Sequence, residues 1–143
     1  INAMTAVDEV LIPIQCEYYA LEGVGQLLGN IGMIREHLNN NLHISAIVLT
    51  MYDARTRLAA DVADEVRGQF GQVVLNNVIP RSVKVSEAPG YGQTVIDYDP
   101  GSRGALAYFD AAKELATRGD YQPHPTTGPI GVSPEVYNQL EEE

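Results

Sequence analysis

The chain has 143 residues, 45% of them hydrophobic and 20% charged, an ordinary globular composition with enough material for one domain and its own core. Its longest apolar runs, such as 46–49, fall far short of the ~20 residues of a membrane-spanning helix, which argues against that class. The net charge of −10 argues at first against a nucleic-acid partner, and the single cysteine, Cys16, cannot close an internal disulfide, which fits a cytoplasmic protein. That charge is unevenly placed: residues 1–119 hold all nine basic and fourteen of the acidic residues, a net of −5, and Asp120, Glu135, Glu141, Glu142 and Glu143 follow them. Exposed charges further apart than a Debye length of ~8 Å are largely screened, so a local basic patch can prevail over an acidic average.

The chain opens in a helical run, Ile1-Asn2-Ala3-Met4, without an initiator methionine, as an internal segment would. Residues 7–14 (VDEVLIPI) read as a first strand, β-branched and ended by Pro13, and Cys16, Glu17 and Tyr18 make the turn after it. Leu21, Val24, Leu27, Leu28, Ile31, Ile34 and Leu38 then recur every three or four residues, the stripe of an amphipathic helix. Burial at roughly 1.5–3 kcal/mol per large side chain, before entropy is subtracted, is the reason for that helix to form. Gly23, Gly25, Gly29 and Gly32 weaken it, and we expect them to permit close packing on a sheet. GVGQLLG resembles a dinucleotide fingerprint but is one residue too long and lies inside the helix, so it carries little weight.

Residues 44–51 (ISAIVLTM) form a second, almost wholly apolar strand after a turn at 39–41. Asp53 or Thr56 can cap the next helix, with Leu58, Val62, Val66 and Phe70 inward and Gly71 at its end. Residues 73–79 read as a third strand, stopped by Pro80. From Pro80 to Arg103 runs a long loop broken by Pro89, Gly90, Gly92, Pro100 and Gly101, with an ordered Val-x-Val spacing at Val83 and Val85. Loops of that length in compact domains are functional or disordered, and the basic residues favour function. Ser102 caps a final helix with Leu106, Phe109, Ala112, Leu115 and Ala116 inward, closed by Gly119. Residues 120–143, with four prolines before Glu135 and three terminal glutamates, are expected to be a disordered tail or a docking peptide.

Strand and helix alternating with short connections predict an α/β fold, a parallel sheet with helices on both faces. In such a sheet the loops leaving the carboxyl ends of the strands gather on one edge, where ligands bind. Here those loops are 15–19, 51–57 and 80–92, and they bring Arg55, Arg57, Arg81 and Lys84, four of the nine basic residues, to that edge. Arg103 has two readings: it joins them, in the first turn of a helix where a cation is disfavoured by ~0.3–1 kcal/mol and an anionic neighbour would explain it, or it is an ordinary surface arginine. Cys16 reads as a small buried residue, since no histidine is placed to activate it. His37, His43 and His124 lack metal-ligand spacing, and Asp97 and Asp99 read as turn and cap residues.

IPIQCEYYALEG, LTMYDARTRL, VIPRSVKVSEAPGYG and YDPGSRG, in this order, resemble the C-terminal half of the ParA/Soj chromosome-partitioning ATPases, a deviant Walker branch of the P-loop NTPases. The resemblance covers residues 1–119. It implies the second half of a P-loop NTPase fold, with Met51, Ile79, Pro80 and Arg81 framing the adenine of ATP. It implies that Arg55 and Lys84 contact DNA without sequence preference, with Arg81 and Arg103 as neighbours. Lys84 stands where arginine is frequent, which keeps a phosphate contact but loses a bidentate one. Glu17 and Tyr18 fall in a motif near the nucleotide and the dimer face. The resemblance further implies ATP and magnesium as cofactors of the intact protein, an ATP-bound homodimer, non-specific DNA and a ParB-type partner, no membrane, and a cytoplasmic, nucleoid-associated location.

These 143 residues contain no GxxxxGK[ST] phosphate loop or its deviant form. Hydrolysis is therefore expected only of an intact protein, with no catalytic residue and no metal site in this piece and no cofactor bound by it alone. Alone, it is expected to expose a strand edge and to associate. The alternative reading is a non-enzymatic module that binds DNA or a full-length relative through the same edge, and a third is a generic nucleotide or small-molecule α/β domain.

Overall fold

A computed structural model describes residues 1–118. A short helix α1 (Asn2–Ala6) precedes strand β1 (Glu9–Gln15), helix α2 (Ala20–His37) and strand β2 (His43–Thr50). The two strands pair in parallel, from Glu9 opposite His43 to Gln15 opposite Thr50. Along β1 the alternation is regular, with Ile12 and Ile14 buried and Leu11, Pro13 and Gln15 exposed. Along β2 five of the eight residues are buried and none is exposed, as suits a strand covered on both faces. Ser45 has no partner in the ladder, because Val10 faces Ile44 and Leu11 faces Ala46. That extra residue resets the alternation, so Ile44 and Ile47 share a face although three positions apart.

Helices α2 and α3 (Arg57–Phe70) cover one face, where Val24, Leu28, Ile31 and Ile34 meet Val62, Val66 and Phe70 over Ile12, Ile14, Ile47 and Leu49. Thr56 caps α3, its hydroxyl accepting from the Ala59 N–H at 3.3 Å. Gly71 ends the helix at φ 59°, ψ −130°, backbone that only glycine adopts without strain. The other face of β2 is covered by a final helix, Arg103–Thr117, whose Ala111 packs with Ala46, Val48, Leu75 and Ile79. The α/β reading with helices on both faces therefore holds, with two local differences in α2. Leu38 is exposed, and Gly23 and Gly29 face open space rather than a close neighbour.

The expected third strand is not a regular one. Residues 71–73 form a 3-10 turn, and the chain then meets β2 and the segment just after it through isolated parallel bridges, Ile47 to Val74 and Tyr52 to Pro80. Backbone bonds from Leu75 N to Ile47 O and from Ile79 N to Leu49 O, both 2.8 Å, keep it alongside β2. Between them the ladder is interrupted because the Glu114 carboxylate takes the N–H groups of Asn76 at 2.7 Å and Asn77 at 2.9 Å. The same carboxylate accepts from both asparagine side chains and from Arg118, which also donates to the carbonyls of Gln72 and Val74. The segment is thus fastened to the last helix more than to the sheet.

The expected long loop is also structured: α4 (Val83–Glu87), a 3-10 turn at Ala88–Tyr91 and α5 (Val95–Tyr98) fill it before the final helix, α6 (Arg103–Thr117). The Val-x-Val spacing lies in a helical turn. Ser102 caps α6 as expected, accepting from the Ala105 N–H at 3.2 Å. The inner face of α6 differs: Gly104, Ala105 and Ala111 are buried, while Leu106 and Phe109 are each 52% exposed. Small residues face inward because the packing is close; a Cβ on Gly104 would lie 2.5 Å from Cγ2 of Val85. The helix ends at Thr117, and the expected closure at Gly119 and the tail at 120–143 lie outside the described residues.

The outer edge of β1 has no strand partner among the described residues. The Cys16 N–H donates to Thr50 and the Asp8 carbonyl accepts from His43, so even-numbered residues direct their backbone groups toward β2. Pro13 is odd-numbered, and the donor it lacks belongs to the outer edge.

Candidate functional site

The carboxyl ends of β2 and of the 74–80 segment leave the sheet side by side. The Tyr52 N–H donates to the Ile79 carbonyl at 3.1 Å and the Arg81 N–H to the Tyr52 carbonyl at 2.9 Å, which joins the two exits two residues beyond the sheet. Met51, at the start of the first exit, has φ 54°, a left-handed backbone that costs a non-glycine residue ~1–2 kcal/mol. Close packing of α4 on Gly104 brings the first turn of α6, and Arg103 with it, to the same place. The result is a cleft of about 790 Å³ whose lining includes Tyr52, Arg55, Pro80, Arg81, Val83 and Arg103. A second cleft, of about 760 Å³, opens on the β1 side and includes Cys16, Glu17, Tyr18 and Met51, and Asp53 and Arg81 line both.

Of the residues expected at the DNA-facing edge, Arg55, Arg81 and Arg103 line one cleft, and Lys84 lies beside it on α4, next to the lining residue Val83. Of those expected around a nucleotide base, Pro80 and Arg81 line that cleft and Met51 lines the other. Ile79 differs from them. Its side chain is buried against Ala46 and Val48, its N–H donates to Leu49 within β2 and its carbonyl accepts from Tyr52 in the exit.

The edge carries carboxylates that the charge count did not locate. Asp53 receives Arg55 side-on, Nε at 2.9 Å and Nη2 at 2.8 Å, and also accepts the Arg55 backbone N–H. The side-chain and backbone hydrogen bonds from Arg55 hold the Asp53 carboxyl well below the usual carboxylate range. Glu87 lies 3.5 Å from Lys84, Glu17 lies 3.7 Å from Arg81, and Asp61 lies 3.7 Å from Arg57. Lys84 also sits 5.5 Å from the centroid of Tyr98, whose hydroxyl donates to Glu87 and whose ring stacks on Tyr91. Arg103 makes no ion pair among the described residues. Spacing alone could have found two of these partners, Lys84 with Glu87 at i,i+3 and Arg57 with Asp61 at i,i+4. Asp53 with Arg55 depends on the turn after β2.

The other candidates keep structural roles. Cys16 is buried, and burial pushes its thiol above the ordinary value, opposite to what a nucleophile needs. Asp97 caps with Thr94, and the Asp99 carbonyl accepts from the Ser102 hydroxyl. Among the described residues no three His, Cys, Asp or Glu side chains gather as a metal site would require, and no helix is long and apolar enough to cross a membrane.

Comparison with known proteins adds a family and a fold. A family model described as an AAA domain matches residues 1–44. The chain is 54% identical over 119 residues to the sporulation initiation inhibitor protein Soj of Bacillus subtilis, covering 83% of this chain and 47% of that protein. It is 49% identical over 118 residues to the chromosome partitioning protein ParA of Caulobacter vibrioides, covering 82% of this chain and 44% of that one. The chain thus spans about half the length of these relatives. Among solved structures it resembles cobyrinic acid a,c-diamide synthase of Mycobacterium smegmatis with a bound ATP analogue and magnesium, at 31% identity and a TM-score of 0.62, over 83% of this chain and 41% of that one.

Proposed function

We propose that this chain, homologous to the ParA/Soj chromosome-partitioning ATPases over about half of their length, is the C-terminal half of an ATP-dependent switch that grips DNA backbone without reading its sequence. The observation that carries the reading is the convergence of Arg55, Arg81 and Arg103, from three separate elements, on one cleft with Lys84 at its side. Guanidinium and ammonium groups on a shared rim suit phosphate oxygens, and contacts to backbone alone carry no sequence information. Tyr52, Pro80 and Arg81 offer an aromatic ring, an apolar ring and a cation at one rim, a fit for the base and anionic end of ATP, with Met51 close behind. ATP with magnesium would supply an anionic bridge between two intact protomers, and hydrolysis stimulated by a ParB-type partner would release them. Pairing doubles the number of phosphates gripped, so one protomer binds weakly and two bind with a steeper dependence on salt.

The test is salt-dependent retention on mixed-sequence duplex DNA. The 143-residue chain should bind weakly, and changing Arg55 and Lys84 together to alanine should reduce the slope of log K against log salt by up to ~0.9 for each phosphate no longer neutralised. Unchanged affinity and slope in the double variant would remove this rim from DNA binding.

A further inference from the structure

The cationic rim is nearly self-neutralised. Arg55, Arg57, Arg81 and Lys84 each have a carboxylate within 4 Å, and the tightest of these pairs, Asp53 with Arg55, uses two guanidinium nitrogens. A polyanion approaching this rim meets four ion pairs and only one unpaired cation, Arg103, among the described residues. We propose that Asp53 and Glu87 set the affinity of the rim for DNA by occupying Arg55 and Lys84, so that phosphate oxygens must displace a carboxylate before either cation engages. The proposal rests on the DNA-binding reading and names what regulates it.

Three observations support displacement over a fixed scaffold. Arg55 is 87% exposed and Lys84 48% exposed, so an arriving phosphate reaches both cations without any rearrangement of the fold. Each carboxylate sits within three residues of its cation, so letting go requires only a change of side-chain rotamer. Glu87 also accepts from the Tyr98 hydroxyl, so it keeps a partner when Lys84 leaves. The opposite arrangement, in which Asp53 braces Arg55 and presents its remaining N–H groups outward, predicts the opposite sign.

The measurement is equilibrium binding of the full chain to a short mixed-sequence duplex by fluorescence anisotropy, across salt. Asp53→Asn and Glu87→Gln should each tighten binding about two- to fivefold, the range an exposed pair commands. Adding Arg55→Ala to Asp53→Asn should abolish that gain. Glu65→Gln removes the same charge from α3, where it accepts from Gln69, and should leave affinity unchanged. Binding that is weaker or equal in the two amide variants, or equally improved by Glu65→Gln, overturns the proposal; if Arg55→Ala with Lys84→Ala still weakens binding, the DNA-binding reading survives that result. Absence of salt-dependent binding in every variant overturns both.

Discussion

Glu114 with Arg118 and Asp53 with Arg55 are the same chemical pair in two different settings. The first is largely shielded, with side chains 13% and 21% exposed, and both partners also bond to backbone groups of 72–77. The second is turned to solvent on its cationic side, with Arg55 87% exposed, and its bonds stay within one turn. The contrast teaches that an ion pair ties separate parts of the chain together where its charges also bond backbone 37 or 38 residues away, and stays a local feature where its bonds close within two residues.

The sharpest way to break this contrast is to remove Glu114. Glu114→Ala takes the acceptor from the N–H groups of Asn76 and Asn77 and leaves Arg118 without its carboxylate, and should lower unfolding free energy by about 1–3 kcal/mol in urea titration. A change as small as that of a surface residue would place both pairs in one class. Gly104→Ala comes next. Its new methyl would press on Val85, and the forced shift between α4 and α6 should cost about 1–3 kcal/mol by the same titration.

Acidification separates the pairs by their titration. Desolvation pushes the Glu114 carboxyl up, but the N–H groups of Asn76 and Asn77, the Asn77 side chain and the Arg118 charge outweigh it and hold the group below its ordinary value. A carboxylate held low in the folded state adds stability that is complete above its unfolded value and is lost as pH falls through the folded one. Stability should therefore decline below about pH 4–5, and Glu114→Gln should flatten part of that decline. The smallest effect is expected at the rim: Arg55→Ala and Lys84→Ala should leave the urea midpoint where it was while weakening DNA retention. A displaced midpoint would mean that the rim, too, holds the fold together.

The elements legible in the sequence are those whose reasons are local. The β-branched run of β1, the stripe of α2, the Thr56 and Ser102 caps and the almost wholly apolar run of β2 follow from neighbours in the chain. The regular strand expected at 73–79 does not form, because its competitor, Glu114, lies 38 residues from Asn76 and no periodicity announces it. The face of α6 differs from expectation for a related reason: large apolar residues mark an inner stripe only where there is room, and here close approach selects Gly104, Ala105 and Ala111. At the site, the topology of a parallel sheet was enough to bring Arg55 and Arg81 together, while Arg103 reaches the same cleft through the packing of α4 on Gly104. Their carboxylate partners were not legible from net charge, since a count of acids says nothing about which cation each one faces.

Pro13 sits in the middle of the β1 border that has no strand partner among the described residues. A segment laid along that border would find amide donors at Leu11 and Gln15 and a pyrrolidine ring between them, so the zipper would skip a tooth. Endless stacking of identical copies needs every rung and is discouraged, whereas a companion strand shaped around the gap loses nothing. One imino acid thus limits how far an unbroken ladder can run along that flank.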